Sequence, residues 1–457
     1  LQVTRGHGES DQNMSEISLT KEPLPPNGAS NPSHNNKGVF DPVVSFCGPA
    51  TTKHHRSGTH RACEPAETWN RIAPRLKDFG ITRVGDITGL DRIGLPIWIA
   101  VRPNSRSLSV SQGKGLDHNA ARVSAAMEAI EIAHAEQSTR RLVFESYEKL
   151  KDVASVVDVR SLPEARNSLF TPERTLLWIE AFDLLSGATV WVPYEMVHAD
   201  ATVPWMPGSG AFIASTNGLA SGNNLAEAVL HGLCEVIERD AQALWEFSGG
   251  ETQDATRIDL STSSDPIILD VLDKYSRAKI EVMTWNLTGD IKIPVVQCVI
   301  FDALGDTLFK PIPAAFGAGC HPSSEVALSR AMTEAAQSRL TVIAGSRDDF
   351  GRARYRTTQA PEAFAYNRQL VTNQRAVLPV DKLPTWTSDT VDDDLRRVLD
   401  LLQTVGVTQV LAVDLSLEDM PISVARVIVP GLEGPTESPA YLPGRRVRAL
   451  SERGRLP

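Results

Sequence analysis

Cysteine is scarce in this 457-residue chain. The five present (Cys47, Cys63, Cys234, Cys298, Cys320) lie far apart and form no CxxC pair. That excludes a disulfide framework and a zinc ribbon, and it suits a reducing, cytoplasmic setting. Long apolar runs are missing too. None approaches the ~20 residues needed to span a bilayer, and no N-terminal stretch reads charge, apolar core, cleavage site. An excess of positive charge is also lacking: the formal net charge is −10, which argues against a dedicated nucleic-acid binder. Neither GxxxxGK[ST] nor GxGxxG occurs, so a bound nucleotide would use neither a P-loop nor a Rossmann fingerprint. What remains is a globular composition, 42% hydrophobic and 22% charged, long enough for a core of normal size.

The chain divides by composition. Residues 1–50 are rich in Pro, Asn, Ser and Gly, and Ser18 to Gly38 has almost no apolar residue; disorder is the expectation there. Order is expected from Thr59. Glu64 to Lys77 reads as a helix broken or kinked at Pro74. Strand patterns follow at Leu95 to Val101, Ser107 to Ser111, Thr175 to Phe182, Ala188 to Val192, Ile280 to Trp285, Pro294 to Phe301, Val407 to Leu415 and Pro421 to Val429. Ser186-Gly187 should turn the third and fourth into a hairpin. Leu395 to Val405 reads as a helix with acidic residues at its start. The alternation indicates a mixed α/β chain. Residues 431–457 read as a C-terminal tail, Arg-rich and solvated from Arg445 to Pro457.

Three segments repeat one spacing. Ala121, Ala125, Glu128 and Glu131 form the first; Ala228, Gly232, Glu235 and Glu238 the second; Ala327, Ala331, Glu334 and Gln337 the third. Each is free of proline and reads as a helix. Each follows a glycine-bearing stretch read as a loop: Gln112 to Gly115, Ser221 to Asn223, and Gly317 to His321. Residues three apart share a helix face, and the small residues would let another backbone approach closely. Carboxylate pairs on helices are commonly solvated. Here, however, Arg239, Arg330 and Arg339 are interleaved with them. Two like charges ~4 Å apart repel by about 4 kcal/mol at an effective dielectric near 20. Hard divalent cations answer such crowding, and magnesium on nucleotide phosphates fits carboxylates and arginines together. Two other patterns are decoys. Glu131 to His134 and Glu195 to His198 both read ExxH, as in di-iron bundles, but the second lies in β-rich sequence. Cys234, among apolar neighbours, reads as a core residue.

Longer motifs now come together: Arg83-Val-Gly-Asp-Ile-Thr-Gly-Leu-Asp-Arg-Ile-Gly-Leu-Pro96, Arg102-Pro-Asn-Ser-Arg106, Gly113-Lys-Gly115, Met127-Glu-Ala-Ile-Glu131, Ser215-Thr-Asn-Gly-Leu-Ala-Ser-Gly-Asn223 and Glu235-Val-Ile-Glu-Arg239. With Arg330 to Arg339 they resemble a YcaO-domain protein over residues 59–430. The resemblance implies a family-specific α/β fold of repeated strand–helix units around a nucleotide site. It also implies an enzyme that uses ATP and Mg2+ to activate a peptide backbone amide. Carried over by position, it assigns Glu128, Glu131, Glu235 and Glu238 to metal, and Asn223, Glu227, Arg239, Arg330 and Glu334 to the nucleotide. Arg61 and Thr68 match its N-terminal nucleotide contacts. At Ala220, where some members carry Ser, only the next residue, Ser221, offers a hydroxyl.

The resemblance also divides the outcomes by nucleophile: a neighbouring side chain gives an azoline, external sulfide a thioamide, an amine an amidine. The Asp86 to Gly94 motif and the Tyr441 to Arg445 stretch resemble the TfuA-associated branch. No PxPxP closes the sequence and no leader-binding domain is read before Thr59. The expectation is therefore thioamide formation in a peptide or protein substrate, as in the biosynthesis of modified ribosomal peptides. A TfuA-like partner, a homodimer, and no nucleic acid or membrane are expected. Azoline-forming cyclodehydration and a non-catalytic ATP-binding factor for ribosomal protein methylthiolation stand as alternatives.

Overall fold

The structure is a computed structural model; it describes residues 40–302, 312–349 and 376–452. After helices α1 (Pro42–Cys47) and α2 (Pro65–Ile72), strands β1 (Arg83–Asp86), β2 (Ile97–Val101) and β3 (Val110–Lys114) form an antiparallel sheet in that order. Helix α3 (His118–Glu136) packs on it. Next come β4 (Leu142–Ser146), α4 (Tyr147–Leu150), β5 (Thr175–Asp183), β6 (Thr189–Pro193) and β7 (Leu219–Gly222), followed by α5 (Leu225–Glu246). Short elements α6 (Gly250–Ala255) and β8 (Ile258–Asp259) lead to α7 (Pro266–Arg277). Strands β9 (Ile280–Asn286), β10 (Val295–Asp302) and β11 (Ala315–Cys320) make a second antiparallel sheet, covered by α8 (Ser324–Ala344). The chain closes with β12 (Leu378–Pro379), α9 (Val391–Thr404), β13 (Leu411–Asp414), β14 (Ser423–Ile428) and α10 (Arg445–Glu452). A central six-stranded sheet runs β4-β5-β13-β14-β7, with β6 paired to β5 across the Ser186-Gly187 turn.

The three repeated segments are α3, α5 and α8. Each begins at a side-chain cap that accepts backbone N–H groups of the first turn: Asp117, Asn224 and Ser323. Each follows a strand whose glycines press on the helix. A Cβ on Gly113 would stand 2.0 Å from Ala125 N, one on Gly222 2.6 Å from Ala228 N, and one on Gly319 2.1 Å from Ala327 O. Glycine here permits close strand–helix approach. The stretches at 112–115, 221–223 and 317–321 thus contain the ends of β3, β7 and β11 rather than being loops. Small residues at four-residue spacing form the other half of that contact.

Two expectations at the chain's margins are corrected. Helix α1 lies within the stretch read as disordered; Asp41 caps it, and Arg396 of α9 binds Asp41 at 2.9 Å. Residues 1–39 lie outside the described residues. The Arg-rich end is folded to Glu452, because Glu433 accepts hydrogen bonds from Tyr441 Oη, Gly444 N and Val447 N. Val447 is buried, and Arg446 meets Asp240 of α5 at 2.9 Å. Residues 453–457 lie outside the described residues.

Candidate active site

All eleven residues singled out by motif line one open cavity of about 470 Å³. Glu128 and Glu131 come from α3; Glu227, Glu235, Glu238 and Arg239 from α5; Arg330 and Glu334 from α8. Asn223 sits at the entry to α5, and Arg61 and Thr68 come from the segment around α2. The helical offsets do the gathering, since i and i+3 carboxylates project from one face and the three faces converge.

The polar wall is internally bonded. Thr68 donates to Asn223 Oδ1 at 2.7 Å. Asn223 donates to Glu227 through its backbone N at 2.9 Å and Nδ2 at 3.0 Å, and Ala62 N donates to the other carboxylate oxygen. Arg61 stands 3.9 Å from Glu227. Lys114 reaches Glu334 at 2.7 Å, Arg239 lies 3.7 Å from Glu238, and Arg330 donates to His231 Nε2 at 2.9 Å. Six carboxylates (Glu128, Glu131, Glu227, Glu235, Glu238, Glu334) thus face five lining cations (Arg61, Lys114, Arg239, Arg330, Arg347).

Crowding and burial govern their protonation. Burial pushes Glu128 up to about 7, against Arg347 and Lys114. Burial, then the charges of Glu235 and Glu128, hold Glu131 well above the usual carboxylate range. Glu235 is raised to about 6 and Glu238 to about 7, in both cases by burial against the attraction of Arg239. Glu334 is the exception. Burial would raise it, but Lys114 and Arg239 outweigh burial and lower it. Carboxylates of this kind are short of positive charge, and a divalent cation would supply it.

Three lining residues escaped sequence reasoning: Lys114, His231 and Arg347. Ser221, the residue that offers a hydroxyl beside Ala220, also lines the cavity, and that hydroxyl bonds Glu131. Lys114 has a readable signal in its position between two glycines. Arg347 has none. Arg339, interleaved on the third helix, is absent from the lining; it is buried and bonded to Asp91 at 2.9 Å. The ExxH pairs do not meet as ligands. His134 donates to Ile130 O and stacks on Phe79, while Glu195 accepts backbone N–H groups of Gly210, Ala211 and Phe212. Cys234 is buried as expected, yet it also lines the cavity beside Cys320.

The family model for YcaO cyclodehydratase, ATP- and Mg2+-binding, matches residues 112–433. This chain belongs to the YcaO family. Its cofactors are accordingly ATP and Mg2+. An uncharacterised protein in the tfuA 3′ region of Rhizobium leguminosarum bv. trifolii is 39% identical over 383 residues, covering 82% of this chain and 88% of that one. An uncharacterised protein of Methanothermobacter thermautotrophicus is 36% identical over 400 residues, covering 85% and 99%. Among solved structures, YcaO from Methanopyrus kandleri bound with AMPPCP and Mg2+ superposes with a TM-score of 0.66 at 23% identity, covering 84% of this chain and 95% of that one. A heterocyclase in complex with substrate and cofactor gives 0.71 at 19% identity over 89% of this chain. This YcaO protein spans 56% of that heterocyclase's length. The last two likenesses establish the fold, a mixed α/β YcaO fold. No helix among the described residues is long and apolar enough to cross a membrane.

The donor set fits the cofactors. Mg2+ takes hard oxygen ligands, which the raised, under-neutralised carboxylates of α3 and α5 would provide. Nucleotide phosphates take guanidinium and ammonium groups, which Arg61, Lys114, Arg239 and Arg330, all in the same cavity, would provide.

Proposed function

We propose that this YcaO protein activates a backbone amide of a peptide or protein by moving the γ-phosphoryl group of ATP to the amide oxygen, and that external sulfide is the nucleophile, so that the product is a thioamide. One observation carries the amide-activation reading: carboxylates from three helices and arginines from two of them face each other across one cavity. An amide is a poor electrophile, and its oxygen leaves badly; phosphorylation cures the second fault. In this reading Glu128, Glu131, Glu235 and Glu238 hold magnesium, which neutralises charge on the transferring phosphoryl group. Arg61, Thr68, Asn223, Glu227, Arg239, Arg330 and Glu334 position the nucleotide. The protein's work is positioning and charge neutralisation.

The sulfide reading is supported by the relative that lies in the tfuA 3′ region, which makes a TfuA-like protein the natural partner. The test is mass spectrometry of a candidate peptide incubated with ATP, Mg2+, sulfide and a TfuA-like protein. Exchange of one oxygen for sulfur is expected. Loss of one water at a Cys, Ser or Thr without added sulfide would establish the azoline reading instead. ATP binding that never marks a peptide would establish an accessory factor.

A further inference from the structure

Beside the main cavity lies a side chamber of about 20 Å³, with room for one molecule the size of water. It shares Arg61, Glu227, His231, Cys234, Cys320 and Arg330 with the main cavity. His60, His321, Leu230 and Val391 help to complete its wall.

The residues of this wall hold donors that lack acceptors. An arginine can only donate, so His231 Nε2 is the acceptor of the 2.9 Å bond from Arg330. Burial, then the charges of Arg330 and Arg61, hold the His231 ring far below its ordinary pKa, so the ring is neutral. Its one proton must therefore sit on Nδ1. That atom has no hydrogen-bond partner, and neither has Arg330 Nε. Both are buried, and a buried donor left without an acceptor is destabilising.

The sign of the field is also set. His60 is lowered to about 4 by burial and then by Lys53 and Arg56; His321 is lowered further by burial, then by His60 and Arg330. His60, His321 and Asp394 do offer three ligand atoms within 4.8 Å. But Asp394 is already held by Lys53 at 2.5 Å, and the surrounding arginines oppose another cation. Glu227, the carboxylate in the wall, is occupied by three N–H donors. The chamber is therefore complementary to one small anion. Two thiols make part of its wall soft: Cys234 and Cys320 lie close enough that Cys234 raises the Cys320 pKa beyond the effect of burial.

We propose that this chamber is the subsite for hydrosulfide, the nucleophile of the reaction above; the inference rests on that reading. Hydrosulfide is small, anionic and soft. Its sulfur adds to the amide carbon, and the carbonyl oxygen takes the γ-phosphoryl group, releasing ADP. The C–O bond then breaks, the S–H proton departs, and C=S forms. The proton and the former amide oxygen leave with phosphate, so the products are thioamide, ADP and hydrogen phosphate.

Val391 and Leu230 line the chamber and not the main cavity. Val391→Leu adds a methylene to a space that holds one small molecule. With the full chain, ATP and Mg2+, it should raise KM for sulfide by about tenfold or more, leaving the Kd for a non-hydrolysable ATP analogue unchanged. Val391→Ala should keep that KM within about threefold of wild type; Leu230→Phe is a second filling variant should the first not fold. Independently of turnover, a crystal of the whole protein soaked in sodium bromide should show an anomalous peak in the chamber, because bromide is a soft anion of similar size. Sulfide KM unchanged in both filling variants, or only water in the chamber under bromide, would overturn the proposal. Failure of wild type to make any thioamide from free sulfide overturns the functional reading instead, and the bromide arm tells the two apart.

Discussion

Lys114 Nζ lies 2.7 Å from Oε2 of Glu334, tying the last residue of β3 to the middle of α8. The first repeated unit is thus linked across the cavity to the third. Lys114→Met should release Glu334 from the attraction that lowers its pKa. The Glu334 pKa should then rise, and with the loss of the Lys114 charge affinity for the Mg2+–nucleotide complex should fall about tenfold, or ~1.4 kcal/mol. Titration calorimetry with a non-hydrolysable analogue measures this. An unchanged Kd would show that Glu334 needs no such partner.

Glu128→Gln and Glu235→Gln each keep the side chain's shape and remove a carboxylate. Both should abolish ATP turnover while the circular dichroism spectrum and melting curve stay native-like. Both groups are raised by burial, so neutral amides should be tolerated in the fold. Turnover at the wild-type rate in both variants would remove magnesium binding from these positions.

Gly317 lies against α8 so closely that a Cβ would stand 2.3 Å from both Ala331 O and Ala335 N. These are backbone atoms that no rotamer change can move. Gly317→Ala should cost about 3 kcal/mol or more. Gly289→Ala is the control, since nothing lies within 4 Å of its Cβ position. Equal denaturation midpoints for the two variants would contradict the close strand–helix approach.

Stability without metal should depend on pH in a particular sense. Glu128 and Glu238 are raised to about 7 and Glu235 to about 6, from an unfolded value near 4.5. Between about pH 4.5 and 7 these three groups bind more protons in the folded chain than in the unfolded one, so their contribution to stability falls as pH rises through that window, while the histidines that burial lowers, His60, His231 and His321 among them, contribute with the opposite sign. Mg2+ with nucleotide should restore it at pH 7.5 and above, because the ionised carboxylates then gain a counter-charge. Melting temperatures across pH 5 to 8, with and without the complex, check both parts. The carboxylate part is isolated by the metal-free difference between wild type and Glu128→Gln, and a difference that stays constant from pH 5 to 8 would refute the shift.

Much of the site is legible in the sequence because helical geometry is local. Small, small, Glu, Glu at offsets of four, three and three puts two carboxylates on one face whatever surrounds the helix. Arg339 shows where that logic ends: it shares the third helix with Glu334 but is buried against Asp91. Helix periodicity gives a residue's face; which neighbour meets that face is not local. The glycine stretches misled for a related reason. Gly113, Gly222 and Gly319 read as loop formers, whereas each relieves a contact with a helix that begins several residues later.

The chain's margins follow the same rule. Composition alone read residues 40–50 as disordered and the Arg-rich end as a solvated tail, but an ion pair from Asp41 to Arg396 and another from Arg446 to Asp240 tie them to α9 and α5. By itself the sequence determined the mixed α/β character, the three carboxylate helices and the family motifs, since each depends on neighbours within a few residues. Only the tertiary structure decided that β3, β7 and β11 press their glycines onto those helices, that Lys114 meets Glu334 across 220 positions, and that Cys234 and Cys320 share one wall. Those outcomes depend on packing between segments far apart in the chain, where close approach and the loss of water set the energies.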